Sequence, residues 1–171
     1  MRAKDFLAAI LLVLGMGLLA GCVGSTQSGT VIVSKVINAP PEKISSFMCG
    51  MSEAEMKEVF PAIKEINNKQ GKPCTVGYSE DETQCIAGQC RTMHLVWVDI
   101  VPNQRYQLKY AGDAYGTTTY LFSPEANGTR MTIILEVSGK LPMGLSYDMI
   151  KSEFEKSGND SLAAIKAKVE K

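Results

Sequence analysis

The sequence predicts an α+β fold: a curved antiparallel sheet of about six to seven strands, closed by one long helix. Three observations carry this. Between residues 91 and 137, β-rich segments alternate apolar and polar residues and are separated by turn signals. From Tyr147 onward the period changes, and Tyr147, Ile150, Phe154, Gly158, Leu162, Ile165 and Val169 recur every three or four residues. Between the first strand and the strand run lie two short segments with helix-start chemistry. Strand runs followed by a helix imply that the helix covers one face of the sheet.

Taken in order, residues 30–38 hold Val31, Ile32, Val33, Val36 and Ile37 and read as the first strand. Pro40 and Pro41 end it, and Pro41 suits the first position of a helix over 42–48, where its missing N–H costs nothing. Ser52 and Glu55 form a capping-box pattern that opens a second helix, reaching about Val59 before Pro61. Ile63 and Ile66 start a strand that reaches a turn at 70–73, and 74–78 reads as the next strand. The acidic run Glu80, Asp81 and Glu82 reads as a solvated tip. Residues 91–101 form the strongest strand, broken by Pro102 and Asn103. In 105–110, Tyr106, Leu108 and Tyr110 share one face. Residues 117–122 and 129–137 pair across a turn at Asn127 and Gly128, and Met131, Ile133, Leu135 and Val137 share one face of the last strand. In the final helix Gly158 weakens the stripe by about 1 kcal/mol relative to Ala. It marks a kink, a close approach to the sheet, or a break over 157–161 that splits the helix, with Asn159 or Asp160 capping the second part.

Ahead of this domain, Arg2 and Lys4 precede an apolar run from Phe6 that closes on Leu19, Ala20, Gly21 and Cys22. Charge, then a short greasy run, then small residues is the order of a secretory signal. At about 14 residues the run is shorter than the ~20 a spanning helix needs. A cysteine directly after Leu-Ala-Gly resembles the lipobox of prokaryotic lipoproteins. That resemblance implies a signal peptide over 1–21, a lipid on Cys22, a flexible polar tether over 22–29 and a domain over 30–171. It implies attachment to a cell membrane or envelope, facing outside the cytoplasm.

Without residues 1–21, the chain keeps 150 residues and a formal charge of −1. That length suits one domain, and the charge offers no basic excess of the kind nucleic-acid binding shows. Export permits disulfides, and four cysteines remain besides Cys22. Four cysteines allow three pairings. Cys85 and Cys90 flank a glycine-containing hairpin loop and are the favoured pair, leaving Cys49 with Cys74 by elimination. Four free thiols are the alternative. A zinc site at Cys85, Cys90 and His94 matches no common ligand spacing and is set aside, so no metal and no cofactor is expected.

Three stretches resemble the START-like, or SRPBCC, superfamily, and within it the polyketide-cyclase-like lipid-transport branch. Residues 33–47, with Asn38, Ala39, Pro40, Pro41 and Glu42, look like its opening strand and first helix. Leu121, Phe122, Ser123 and Pro124 through Asn127, Gly128 and Thr129 look like a hairpin of the family. Residues 162–170 look like its last helix. Phe60 stands where members often carry a tryptophan, and 80–90 looks like a local elaboration. The resemblance implies a helix-grip fold with an apolar hollow between sheet and C-terminal helix, and a hydrophobic small molecule or lipid as partner.

The side chains expected to face such a hollow are Tyr106, Leu108, Tyr110, Tyr120, Phe122, Met131, Ile133, Leu135, Tyr147, Ile150 and Phe154. The competing reading is that they fill a solid core. The sequence shows no Gly-x-Ser-x-Gly elbow, no phosphate loop, a single histidine and no paired carboxylates on one strand that could be read as an acid/base couple. No catalytic residue is therefore assigned, and ligand binding is preferred to a cyclase- or dehydrase-like activity. A ligand-free module docking on an envelope partner is the third reading.

Overall fold

The computed structural model of the protein describes residues 26–86, 88–111, 114–140 and 146–171. The expected signal peptide, Cys22 and the first residues of the expected tether lie outside them. Among the described residues, no helix is long and apolar enough to cross a membrane. The elements are β1 (Thr26–Ile37), α1 (Pro41–Gly50), α2 (Glu53–Val59), β2 (Ile63–Gln70), β3 (Ser79–Ile86), β4 (Gln89–Val101), β5 (Arg105–Ala111), β6 (Ala114–Glu125), β7 (Gly128–Lys140) and α3 (Tyr147–Val169).

The strands form one seven-stranded antiparallel sheet in the order β1-β7-β6-β5-β4-β3-β2. From β2 to β7 each strand pairs with its sequence neighbour, and β1 returns to lie beside β7. The sheet curves, and α3 lies across its inner face against β1.

Local chemistry explains the elements that the sequence made legible. The Ser52 hydroxyl accepts from the Glu55 N–H at 3.3 Å, and the Glu55 carboxylate accepts from the Ser52 N–H at 2.9 Å, which completes the capping box of α2. Pro41 opens α1 as its first residue. Both disulfides are formed, Cys49–Cys74 with a Cα separation of 5.6 Å and Cys85–Cys90 across the β3–β4 hairpin.

Three expectations need correction, and one open alternative is decided. Residues 74–78 are not a strand. Cys74 and Gly77 take positive φ (56° and 88°), so the chain makes a looped excursion that hydrogen-bonds to β4 through the Gly77 N–H and the Trp97 carbonyl at 2.8 Å. Residues 80–82 are not a solvated tip but part of β3, with Glu80 3% and Glu82 4% exposed. Residues 26–29 are not tether but the start of β1, laddered from Thr26–Lys140 to Gly29–Val137. The Tyr147 ring lies over Gly29, where a Cβ would come within 1.8 Å of it. Lastly, α3 is unbroken. Asn159 donates from its side chain to the Glu155 carbonyl one turn back (2.7 Å) instead of capping a new helix. Gly158 marks a close approach, since a Cβ there would lie 2.7 Å from a methyl of Val33 on β1.

Packing divides along α3. Its C-terminal half buries Leu162, Ile165 and Val169 in a continuous core with Ile37, Ile44, Val59, Tyr106, Phe122 and Met131. Its N-terminal half faces an open space. The taper of β6 explains the difference. Inward-facing positions read Phe122, Tyr120, Thr118 and Gly116, opposite Met131, Ile133, Leu135 and Val137 on β7. Phe122 fills the space at one end; farther along Thr118 leaves it open, and Gly116 gives room to the Tyr110 ring that lies over it.

Candidate functional site

The space is a hollow of about 470 Å³ between the N-terminal half of α3 and the inner face of the sheet. That volume lies in the range of small-molecule sites. Each strand contributes through alternate residues: Val31 and Val33 from β1, Leu95 and Trp97 from β4, Leu108 and Tyr110 from β5, Thr118 and Tyr120 from β6, and Ile133, Leu135 and Val137 from β7. From the helices come Met48, Met56, Ile150, Phe154 and Gly158, with Met51 and Phe60 from the segments that follow α1 and α2. The wall is mainly apolar.

The eleven expected side chains divide. Leu108, Tyr110, Tyr120, Ile133, Leu135, Ile150 and Phe154 line the hollow. Tyr106, Phe122 and Met131 do not: they belong to the solid core at its closed end, where the Tyr106 hydroxyl is hydrogen-bonded to Ser45 and its ring packs 5.2 Å from that of Phe122. Tyr147 stands at the rim of the sheet, its hydroxyl donating to the Thr30 carbonyl at 3.1 Å.

The sequence reading missed several parts of the wall, among them Met48, Met51, Met56, Phe60, Leu95 and Trp97, and one of the missed parts is acidic. Glu80, Glu82, Gln84 and Ile86 alternate on the inner face of β3 and line the hollow. Two carboxylates that read in the sequence as part of a solvated tip therefore sit on one strand and face one cavity. Glu80 accepts a hydrogen bond from the Tyr78 hydroxyl (2.6 Å), and Glu82 accepts one from the Gln84 amide (2.6 Å). Burial pushes the Glu82 carboxyl up to about 7; its bond from Gln84 opposes this, and the neighbouring Glu80 reinforces it. Burial likewise raises the hydroxyls of Tyr78, Tyr110 and Tyr120, with Glu80 adding to the effect at Tyr78 and Glu82 at Tyr120. Tyr110 lies over Gly116 and donates to the Glu136 carbonyl at 3.1 Å.

The groups weighed for zinc are committed elsewhere. Cys85 and Cys90 are bonded to each other. His94 pairs with Asp81 at 2.8 Å, and neither is among the residues lining the hollow. Asp81 is held below the usual carboxylate range by bonds from Asn68 and His94.

No family model matches the chain in sequence, and no curated protein does either. Solved structures do match in shape. Ara h 8.0201 superposes with a TM-score of 0.63 at 14% identity, over 84% of this chain and 98% of that one. The major latex-like protein 151 of Panax ginseng gives 0.64 at 12% identity, over 83% and 97%. The di-domain ARO/CYC StfQ of the steffimycin biosynthetic pathway gives 0.63 at 12% identity, over 84% of this chain and 51% of that one. These likenesses, with seven antiparallel strands curled around one long C-terminal helix, show that the chain has the helix-grip fold of SRPBCC and START-like proteins.

Proposed function

We propose that the protein is a membrane-anchored, extracytoplasmic binding protein for a hydrophobic small molecule or lipid, held between the sheet and α3. One observation carries this reading above the others: a hollow of about 470 Å³ with a mainly apolar wall is left open where the same sheet and helix pack tightly a few residues away. An empty apolar space costs the fold the contacts its lining would otherwise make. A guest of matching chemistry restores them. The likeness in fold to the di-domain ARO/CYC StfQ of the steffimycin biosynthetic pathway is in keeping with an apolar guest, and the lipobox-like sequence ending at Cys22 supports the anchor.

Two variants test the two halves of the proposal. Ile133, opposite Tyr120 in the ladder, lines the middle of the hollow. Ile133→Trp narrows it and is expected to lower binding of a neutral apolar dye while the fold persists. Unchanged dye binding, together with a stability loss of the ~1–3 kcal/mol that overpacking costs, would mean that the space is filled in solution. Cys22→Ser is expected to block processing or move the protein from the membrane to the soluble fraction. A variant that is cut normally and stays on the membrane would remove the anchor.

A further inference from the structure

The acidic strip on β3 is unusual in this wall. Burying two neighbouring carboxylates in an apolar surround is costly, and apolar residues of the same size would pack there with less penalty. Tyr78 and Gln84 each donate one hydrogen bond to the pair. Glu82 and Glu80 are also hydrogen-bonded to each other; a carboxylate has about four acceptor sites, so acceptor positions of the pair still remain for a guest. The strip shares the hollow with aromatic and aliphatic side chains, among them Trp97, Tyr120 and Phe154.

We propose, building on the hydrophobic-guest reading above, that the hollow takes an amphiphile whose polar end is an ammonium group. The apolar chain lies against Trp97, Leu135 and Phe154, and the ammonium is held by Glu80 and Glu82. An ammonium carries three donors and no acceptor, which suits two acidic acceptors side by side. Aromatic faces nearby favour the same charge. A fatty-acid carboxylate would meet like charge, and an alcohol would bring one donor where an ammonium brings three. Among the described residues, the other titratable or charged side chains of the lining are Arg91 on β4, opposite Gln84 and already partnered, Tyr110 on β5 and Tyr120 on β6, while Tyr78 bonds to Glu80 from outside the lining. Because Glu82 holds its proton to about pH 7, an incoming ammonium displaces that proton into solvent. Amine binding therefore strengthens as pH rises from 6 to 8.

Trp97 is the only tryptophan of the chain and lines the hollow, so it reports occupancy directly. The full chain in phosphatidylcholine vesicles is titrated with dodecylamine, dodecanol and dodecanoate, each brominated at the chain end to quench Trp97. The expected result is that the amine binds at least about tenfold more tightly than the alcohol, with dodecanoate weakest. Its affinity rises between pH 6 and pH 8, and in Glu82→Gln both the amine preference and the pH dependence shrink while alcohol binding persists. Equal quenching by all three, or strongest quenching by dodecanoate, overturns the ammonium proposal and leaves the hydrophobic-guest reading standing. If none of the three quenches Trp97, while a tryptophan-free control shows all three in the vesicles, the hydrophobic-guest reading fails and takes this proposal with it.

Discussion

Replacing Cys49 and Cys74 together by alanine is expected to lower the unfolding free energy by about 3–4 kcal/mol, against roughly 2 kcal/mol for replacing Cys85 and Cys90. The difference follows from the chain each bond closes. Cys49–Cys74 joins residues 25 apart, linking the end of α1 to the loop before β3. Cys85–Cys90 joins residues five apart, already held opposite each other by the hairpin ladder. The entropy removed from the unfolded chain grows with loop length, so the first bond contributes more. Its loss also reaches the site. Met48 and Met51 flank Cys49 and line the hollow, and Cys49 and Cys74 both pack against the main core. The double variant should therefore bind a neutral apolar dye less tightly, whereas the Cys85, Cys90 variant should change mainly in stability. Urea unfolding of both variants beside the parent checks the ranking. Equal losses would mean that the loop from α1 to β3 is ordered without its crosslink.

The parts of this fold that were legible in the sequence are those fixed by local chemistry. Ser52 and Glu55 cap each other wherever the helix lies in the fold, and the alternation of Tyr106, Leu108 and Tyr110 holds in any half-buried strand. What the sequence hid depends on tertiary position. Tyr106 and Leu108 share a face and a strand, yet one is core and the other lines the hollow. The cause lies in a small residue of a neighbouring strand, Thr118 opposite Leu108, and no periodicity argument weighs it. The acidic run at 80–82 misled for a related reason. Alternation puts Glu80 and Glu82 on one face and Asp81 on the other, but it does not say which face is inside. Charge argued for solvent, and the position of β3 between β2 and β4 placed both glutamates in the wall. Likewise Cys74 and Gly77 turned an apparent strand into a loop through backbone conformations that composition does not reveal. The lining from Met48, Met51, Met56 and Phe60 carried one faint signal, methionines and an aromatic clustered around two short helices.

Glu82→Gln is expected to stabilise the protein at pH 8 and to leave it nearly unchanged at pH 4.5. The sign follows from the carboxyl's raised value. Burial lifts Glu82 from 4.5 to about 7, so between these pH values the folded protein retains a proton that the unfolded chain has released. Stability then falls as pH rises across that window and levels off above it. With 1.36 kcal/mol per pKa unit, the whole fall is about 3 kcal/mol. A glutamine of the same shape carries no charge to bury, so the variant should lack this slope. Carboxyls held below the usual range, Glu53, Glu55, Asp81 and Glu170, act in the opposite direction. Their contribution is present above the ordinary carboxylate value and is lost only as pH falls below it, outside the window where Glu82 acts. The measurement is the unfolding free energy of both proteins from pH 4.5 to pH 8, taken as the difference between them, which cancels every group they share. A gap that opens between pH 5 and pH 7 assigns the slope to the buried acid on β3. Parallel curves would mean that Glu82 reaches water in solution, and the wall of the hollow would then be open at β3.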